Sequence, residues 1–180
     1  EVLNYRKDGT PFWNALSINP VWNSKNEFLC FVGVQSDITE RKLQEQQLRL
    51  TEQVFNQGLE GSTITDANGN ILRVNPAFTK ITGYTEAEVR GKNPRILQSG
   101  LQSVGYYQEM WRALLQVGVW SGEILNRHKD GTIYPEWLTI SAIRHASGQV
   151  THYLGTFSDL SQSKAAESRI QSLSHFDPLT

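Results

Sequence analysis

The chain has 180 residues, and 17 Lys and Arg against 18 Asp and Glu leave a formal charge of −1, with no basic field for a nucleic-acid backbone or an anionic membrane surface. One cysteine, Cys30, excludes an internal disulfide and a Cys-rich zinc site, and the longest apolar run, around Phe28 to Val34, is far shorter than the roughly 20 residues of a membrane span. Nucleic acid and membrane are therefore not expected partners, a reducing cytoplasm is the expected setting, and the length suits one ordinary domain or two small ones.

The sequence opens at Glu1 with neither an initiator Met nor a signal peptide, and reads as part of a longer chain. LNY and TPFWNALSINPVW are expected strands flanking Lys7-Asp8-Gly9, where Asp-Gly favours a tight hairpin. FLCFVGVQSD is the third, after the polar break Asn23 to Glu27. Parity puts Phe12, Asn14, Leu16 and Ile18 on one face of their strand, and Leu29, Phe31, Gly33 and Gln35 on one face of the next. Cys30, inside the apolar run, is expected to be a buried small hydrophobe. From Ile38 to about Gln57 the chain is charged and Gln-rich, without Gly or Pro, so a connecting helix is expected with Asp37 or Thr39 as its cap. Leu43, Leu48, Leu50, Val54 and Phe55 form an imperfect stripe there, which suits either a solvated linker or pairing with a second copy.

Residues 58–161 read as a complete domain. Two short strands flank Asp66-Ala67-Asn68-Gly69-Asn70, a hairpin with Asn-Gly at its turn. Asn75-Pro76-Ala77-Phe78 places Pro at a first helical turn, and Thr85-x-x-Glu88 is a capping box. Tyr107, Met110, Trp111, Leu114 and Leu115 fall at helical spacing, and Gly118 ends that run. Strands are expected over residues 120–127, 132–145 and 150–158. The order makes an α+β fold, a five-stranded antiparallel sheet with a helical flank. Ser161 to Phe176 is again polar and helical. The expected organisation is residues 1–39 as a partial domain, 40–57 as linker helix, 58–161 as the domain and 162–180 as a second signalling helix.

Residues 3–42 repeat at 125–164 at an offset of 122. Lys7-Asp8-Gly9-Thr10 matches Lys129-Asp130-Gly131-Thr132, and Ser36-Asp37 matches Ser158-Asp159, but Asn14 becomes Glu136 and Gln35 becomes Phe157. Catalytic motifs are not expected: His128, His145 and His152 lack metal-ligand spacing, and Glu86, Glu88 and Glu109 read as helix caps or solvated faces.

With Asn75-Pro76-Ala77-Phe78, Gly83-Tyr84-Thr85, two Lys-Asp-Gly hairpins and the terminal Asp37-Ile38-Thr39 and Asp159-Leu160-Ser161, residues 50–161 resemble a PAS domain, and residues 2–39 resemble the last three strands of another. NYRKDGTPFWN with GVQSDIT is similar to the C-terminal half of the flavin-binding, blue-light-sensing LOV branch of that family. The resemblance implies that Asn4, Asn14 and Gln35 hydrogen-bond FMN in the intact domain. An amide offers both the donor and the acceptor that a flavin edge needs. A local role is the competing reading, with Asn4 flanking the hairpin and Gln35 bonding a neighbouring backbone group. Three strands alone neither enclose a tricyclic ring nor make a stable sheet, so this copy is expected to be disordered, paired or packed on a neighbour.

In the second copy, Gly91-Lys92-Asn93-Pro94-Arg95-Ile96-Leu97-Gln98 is similar to the LOV segment that carries the reactive cysteine, with Pro94 in the cysteine's place, so no thiol adduct is expected. Asn93, Arg95, Gln98, Asn126, Glu136 and Phe157 are the candidate pocket residues. Phe157 is expected to take ring volume, leaving a pocket that is empty, self-filled or differently liganded. Leu173 to Thr180, ending Asp177-Pro178-Leu179-Thr180, resembles the start of a GGDEF diguanylate cyclase domain. The resulting expectation is a non-catalytic regulatory segment of a bacterial signalling protein, dimeric through its sheet and linker helices, that relays light or ligand state to a cyclic di-GMP output domain. Two other readings of residues 50–161 stand beside it: a ligand-free dimerising spacer with Trp111, Trp120 and Trp137 as core or interface, and a sensor with its own small molecule.

Overall fold

The computed structural model describes residues 1–174, and the chain divides into two compact units, Glu1–Val54 and Phe55–Thr180. In the first, β1 (Val2–Tyr5), β2 (Pro11–Trp22) and β3 (Phe28–Asp37) form an antiparallel sheet in that order. Its first turn follows the Asp-Gly signal. Asp8 Oδ1 accepts the Thr10 N–H at 2.9 Å, and Gly9 takes φ +86°, a left-handed conformation open to glycine without steric cost. Asn23 closes the second turn by accepting the Lys25 and Glu27 N–H groups, both at 2.9 Å.

Every residue of β3 is exposed. Cys30 is exposed with them, which corrects the expectation that it is buried. The reason is that β3 pairs with β2 alone and neither of its faces is covered; the apolar composition of the run favours a strand, and cover is a separate matter. Asp37 Oδ1 accepts the Thr39 N–H at 3.0 Å, and α1 (Thr39–Gln57) follows. None of its residues is buried.

The second unit contains β4 (Gly61–Asp66), β5 (Ile71–Val74), α2 (Pro76–Thr82), α3 (Glu86–Val89), a 3-10 helix (Pro94–Leu97), α4 (Val104–Gln116), β6 (Val119–Arg127), β7 (Ile133–Arg144), β8 (Val150–Asp159) and α5 (Ser161–Ser174). Its sheet is antiparallel throughout, in the order β5-β4-β8-β7-β6. This is the α+β architecture with a helical flank that the element order implies. The segment that resembles the start of a GGDEF domain runs past the described residues at its Asp177-Pro178-Leu179-Thr180 end.

Local chemistry fixes the helical flank. Asn75 Oδ1 accepts the Phe78 N–H at 2.9 Å and the Ser62 N–H at 2.8 Å, so one amide both caps α2 and ties it to β4. The Thr85 N–H donates to Glu88 Oε2 at 2.9 Å, as the capping box requires. Ile71, Val74, Phe78, Val89, Leu97 and Phe157 form a buried core between flank and sheet. Phe157 lies over Gly61, where an added Cβ would come within 2.3 Å of its ring. On α4 the expected single stripe divides: Met110 and Leu114 are buried, while Trp111 and Leu115 are exposed.

The repeat extends to individual bonds. Ile38 N–H donates to Trp13 O and Leu160 N–H to Pro135 O, both at 2.9 Å and related by the offset of 122. Ser161 N–H donates to Asp159 Oδ1 at 2.8 Å, matching Thr39 on Asp37. Ion pairs Glu1–Lys42 and Glu123–Lys164 complete the same joint between the opening of each copy and the helix leaving it.

Candidate functional site

Between the helical flank and the sheet, the second unit holds a partly open cavity of about 370 Å³. All six expected pocket residues, Asn93, Arg95, Gln98, Asn126, Glu136 and Phe157, line it. Asn93 holds the 3-10 helix: its Oδ1 accepts the Arg95 N–H at 3.1 Å, and its Nδ2 donates to Gly69 O at 3.1 Å. Pro94 opens that helix on the cavity wall. A proline there offers no thiol, and no cysteine is among the residues that line the cavity. Gln98 bridges to Asn126 of β6.

Phe157 does not fill the space. Its ring packs edge-on against Phe78, with centroids 5.8 Å apart, and lies over Gly61. This corrects the self-filled alternative: the ring joins the neighbouring core and leaves the cavity open.

The chemistry concentrates at Glu136. The side chain is 1% exposed, and its Oε1 accepts from Asn126 Nδ2 at 2.8 Å. Its Oε2 is buried and has no hydrogen-bond partner. Burial raises the carboxyl to about 7, with the Asn126 and Tyr134 contacts pulling the other way and the Asp159 charge adding to the rise. The Tyr107 hydroxyl of α4, another wall residue, is likewise buried and unpartnered, and burial raises it too. Tyr134 completes the group. Its hydroxyl is buried and makes no hydrogen bond of good geometry, although it lies near Glu136; burial first and the Glu136 carboxyl second hold it protonated, and its ring stacks on His128 at 3.9 Å.

Tyr107 and Tyr134 escape sequence reasoning. Tyr107 falls on the apolar stripe of α4 and is indistinguishable there from a packing aromatic; a phenol within an otherwise aliphatic stripe is the available signal. Buried hydroxyls without partners cost free energy unless something arrives to satisfy them, roughly 1–3 kcal/mol each.

In the first unit Asn14 and Gln35 meet: Asn14 Nδ2 donates to Gln35 Oε1 at 3.2 Å. Asn14 is 1% exposed, and its Oδ1 is left without a partner. Gln35 is exposed and Asn4 half-buried. Among the described residues there is no group of His, Cys, Asp and Glu able to hold a metal ion, and no helix long and apolar enough to cross a membrane.

A family profile described as "PAS domain" matches residues 1–40 and 59–162. Over 109 residues the chain is 38% identical to the Nitrogen fixation regulatory protein of Klebsiella oxytoca, covering 61% of this chain and 22% of that protein. Over 93 residues it is 34% identical to Blue-light-activated histidine kinase 1 of Erythrobacter litoralis, covering 49% of this chain and 23% of that one. Among solved structures, one described as "Flavin Analogue Sheds Light on Light-Oxygen-Voltage Domain Mechanism" aligns with a TM-score of 0.54 at 27% identity, covering 71% of this chain and 96% of that chain. The chain thus spans under a quarter of the length of both curated relatives.

Proposed function

We propose, because this chain belongs to the PAS domain family, that its second unit is a small-molecule sensor whose occupancy is relayed through α5 to an output domain of a larger signalling protein. Similarity to a nitrogen fixation regulator and a blue-light-activated kinase makes it a LOV-like sensory domain of the signalling class. A sensory domain of that kind is not itself catalytic. The observation that carries the ligand reading is the cavity with the unpartnered Glu136 Oε2 and Tyr107 hydroxyl on its wall. A dimerising spacer gains nothing from a void lined by buried polar atoms, since each is a cost to folding.

In the first unit, the unpartnered Oδ1 of Asn14, adjoining Gln35, suits the edge of a flavin. FMN, if held by the intact LOV-like domain, would supply blue-light absorption, and Asn4, Asn14 and Gln35 would hold its ring. The output is a cyclic di-GMP enzyme, on the resemblance of Asp177-Pro178-Leu179-Thr180 to the start of a GGDEF domain. On this reading the protein works in the cytoplasm as a dimer, paired through its sheet and linker helices.

Gly155 supplies the test. It lines the cavity, and a Cβ there would meet nothing closer than 4.0 Å, so a larger side chain enters the void without displacing backbone. Gly155→Leu in the full-length protein should leave the thermal transition within a few degrees of wild type and abolish the signal-dependent change in cyclic di-GMP synthesis. Unchanged regulation in a folded G155L protein would favour the spacer.

A further inference from the structure

We infer that the cavity of the second unit takes a small organic cation, an amine or amidine whose N–H groups bridge the Glu136 carboxylate and the Tyr107 hydroxyl. This rests on the ligand-sensing reading above and narrows it to a chemical class.

The two copies differ at the position that decides the class. Asn14 of the first copy stands where Glu136 stands in the second. An amide meets a ligand with a donor and an acceptor, while an ionised carboxyl meets it with acceptors alone. Asn126 Nδ2 occupies Glu136 Oε1, and the Tyr134 hydroxyl lies near enough to favour the ionised carboxyl but makes no hydrogen bond of good geometry to it, so Oε2 keeps room to accept from an incoming donor. Tyr107 Oη, buried and free of hydrogen bonds, supplies a second acceptor on the opposite element. An amidinium or ammonium group carries donors for both.

Charge argues the same way. A buried carboxylate is retained at low cost only when a cation or several donors compensate it. The basic wall residue, Arg95, is exposed and its Nε donates to Asn93 Oδ1 at 3.2 Å. The groups facing Glu136 are Asn126 on β6, Tyr107 on α4, Tyr134 on its own strand and Asp159 on β8, none of them cationic. Without a ligand the carboxyl stays protonated up to about pH 7, and a bound cation supplies the charge that lets it ionise. The aromatic wall suits that cation: Trp111 and Tyr153 stand edge to face at 5.7 Å, and such rings attract a desolvated cation. The cavity volume lies in the range of small-molecule sites.

Benzamidine, benzamide and benzoate share one ring and differ in charge, so calorimetric titration of each into the 180-residue protein isolates the class. Benzamidine should bind at least about tenfold more tightly than the other two. Its affinity should rise about tenfold between pH 6 and pH 8 as Glu136 ionises. Glu136→Gln, nearly isosteric, should erase the preference for benzamidine, and Tyr107→Phe should weaken benzamidine binding severalfold. Equal or tighter binding of benzoate or benzamide to wild type, or an undiminished preference in E136Q, overturns the inference. If none of the three binds, the cation is wrong; ligand sensing as a whole falls only if G155L also leaves regulation unchanged.

Discussion

Glu136 and Asn14 hold the same place in two copies of one sequence, and both are 1% exposed with a side-chain oxygen that finds no partner. The amide stays neutral at every pH, whereas the carboxyl titrates. Folding raises Glu136 from 4.5 to about 7, so over that interval the folded protein keeps a proton that the unfolded chain has lost. The resulting stabilisation is complete below about pH 4.5 and is gone once the pH passes about 7. Wild-type stability in urea should therefore fall by about 2–3 kcal/mol between pH 5 and pH 8. E136Q should show a flatter profile, and an equal slope in the variant would place the titration elsewhere. Glu136 and Phe157 stand out in the sequence because the repeat drifts there, from Asn14 and Gln35, while Asn93, Arg95, Gln98 and Asn126 are marked by resemblance to a known segment. That Glu136 Oε2 and Tyr107 Oη lack partners could not be read there, because satisfaction of a hydrogen bond depends on three elements meeting in space.

Among elements, turns and caps are the most legible: the Asp-Gly hairpins, the Asn-Pro start of α2 and the Thr85–Glu88 box each rest on contacts within five residues. Strand cover is less so. FLCFVGV has the composition of a buried strand, yet β3 is open on both faces, because cover is supplied by elements distant in sequence. The same limit applies to α4, where equal spacing does not tell Leu114, at 0% exposed, from Leu115, at 62%. The approach of β4 to β8 shows what such distant packing demands. Gly61→Ala would put a methyl 2.3 Å from the Phe157 ring. The expected loss is about 1–3 kcal/mol of unfolding free energy. Phe157→Leu in the same chain should recover part of it, and two additive losses in that double-mutant cycle would contradict the contact.

At the scale of the molecule, the two units differ in what surrounds their sheets. Residues 55–174 carry a buried core from Ile71 to Phe157, while the first unit has Asn14 as its buried residue and leaves Leu16, Ile18, Phe31 and Val34 exposed. A three-stranded sheet needs an apolar face against something to be stable in water. Residues 55–174 expressed alone should melt cooperatively by circular dichroism, and residues 1–54 alone should not; a sharp transition in the shorter piece would mean its sheet is self-sufficient. What both units do share is the bonding at which a helix leaves a sheet: a backbone bond from Ile38 or Leu160, an aspartate under the first turn, and a glutamate–lysine pair. Identical fittings make the copies exchangeable parts. A chain cut and rejoined anywhere within this joint, at equivalent residues 122 apart, keeps every bond of the junction, so gene duplication can add or remove a whole sensor here while each helix still emerges from a sheet that fits it.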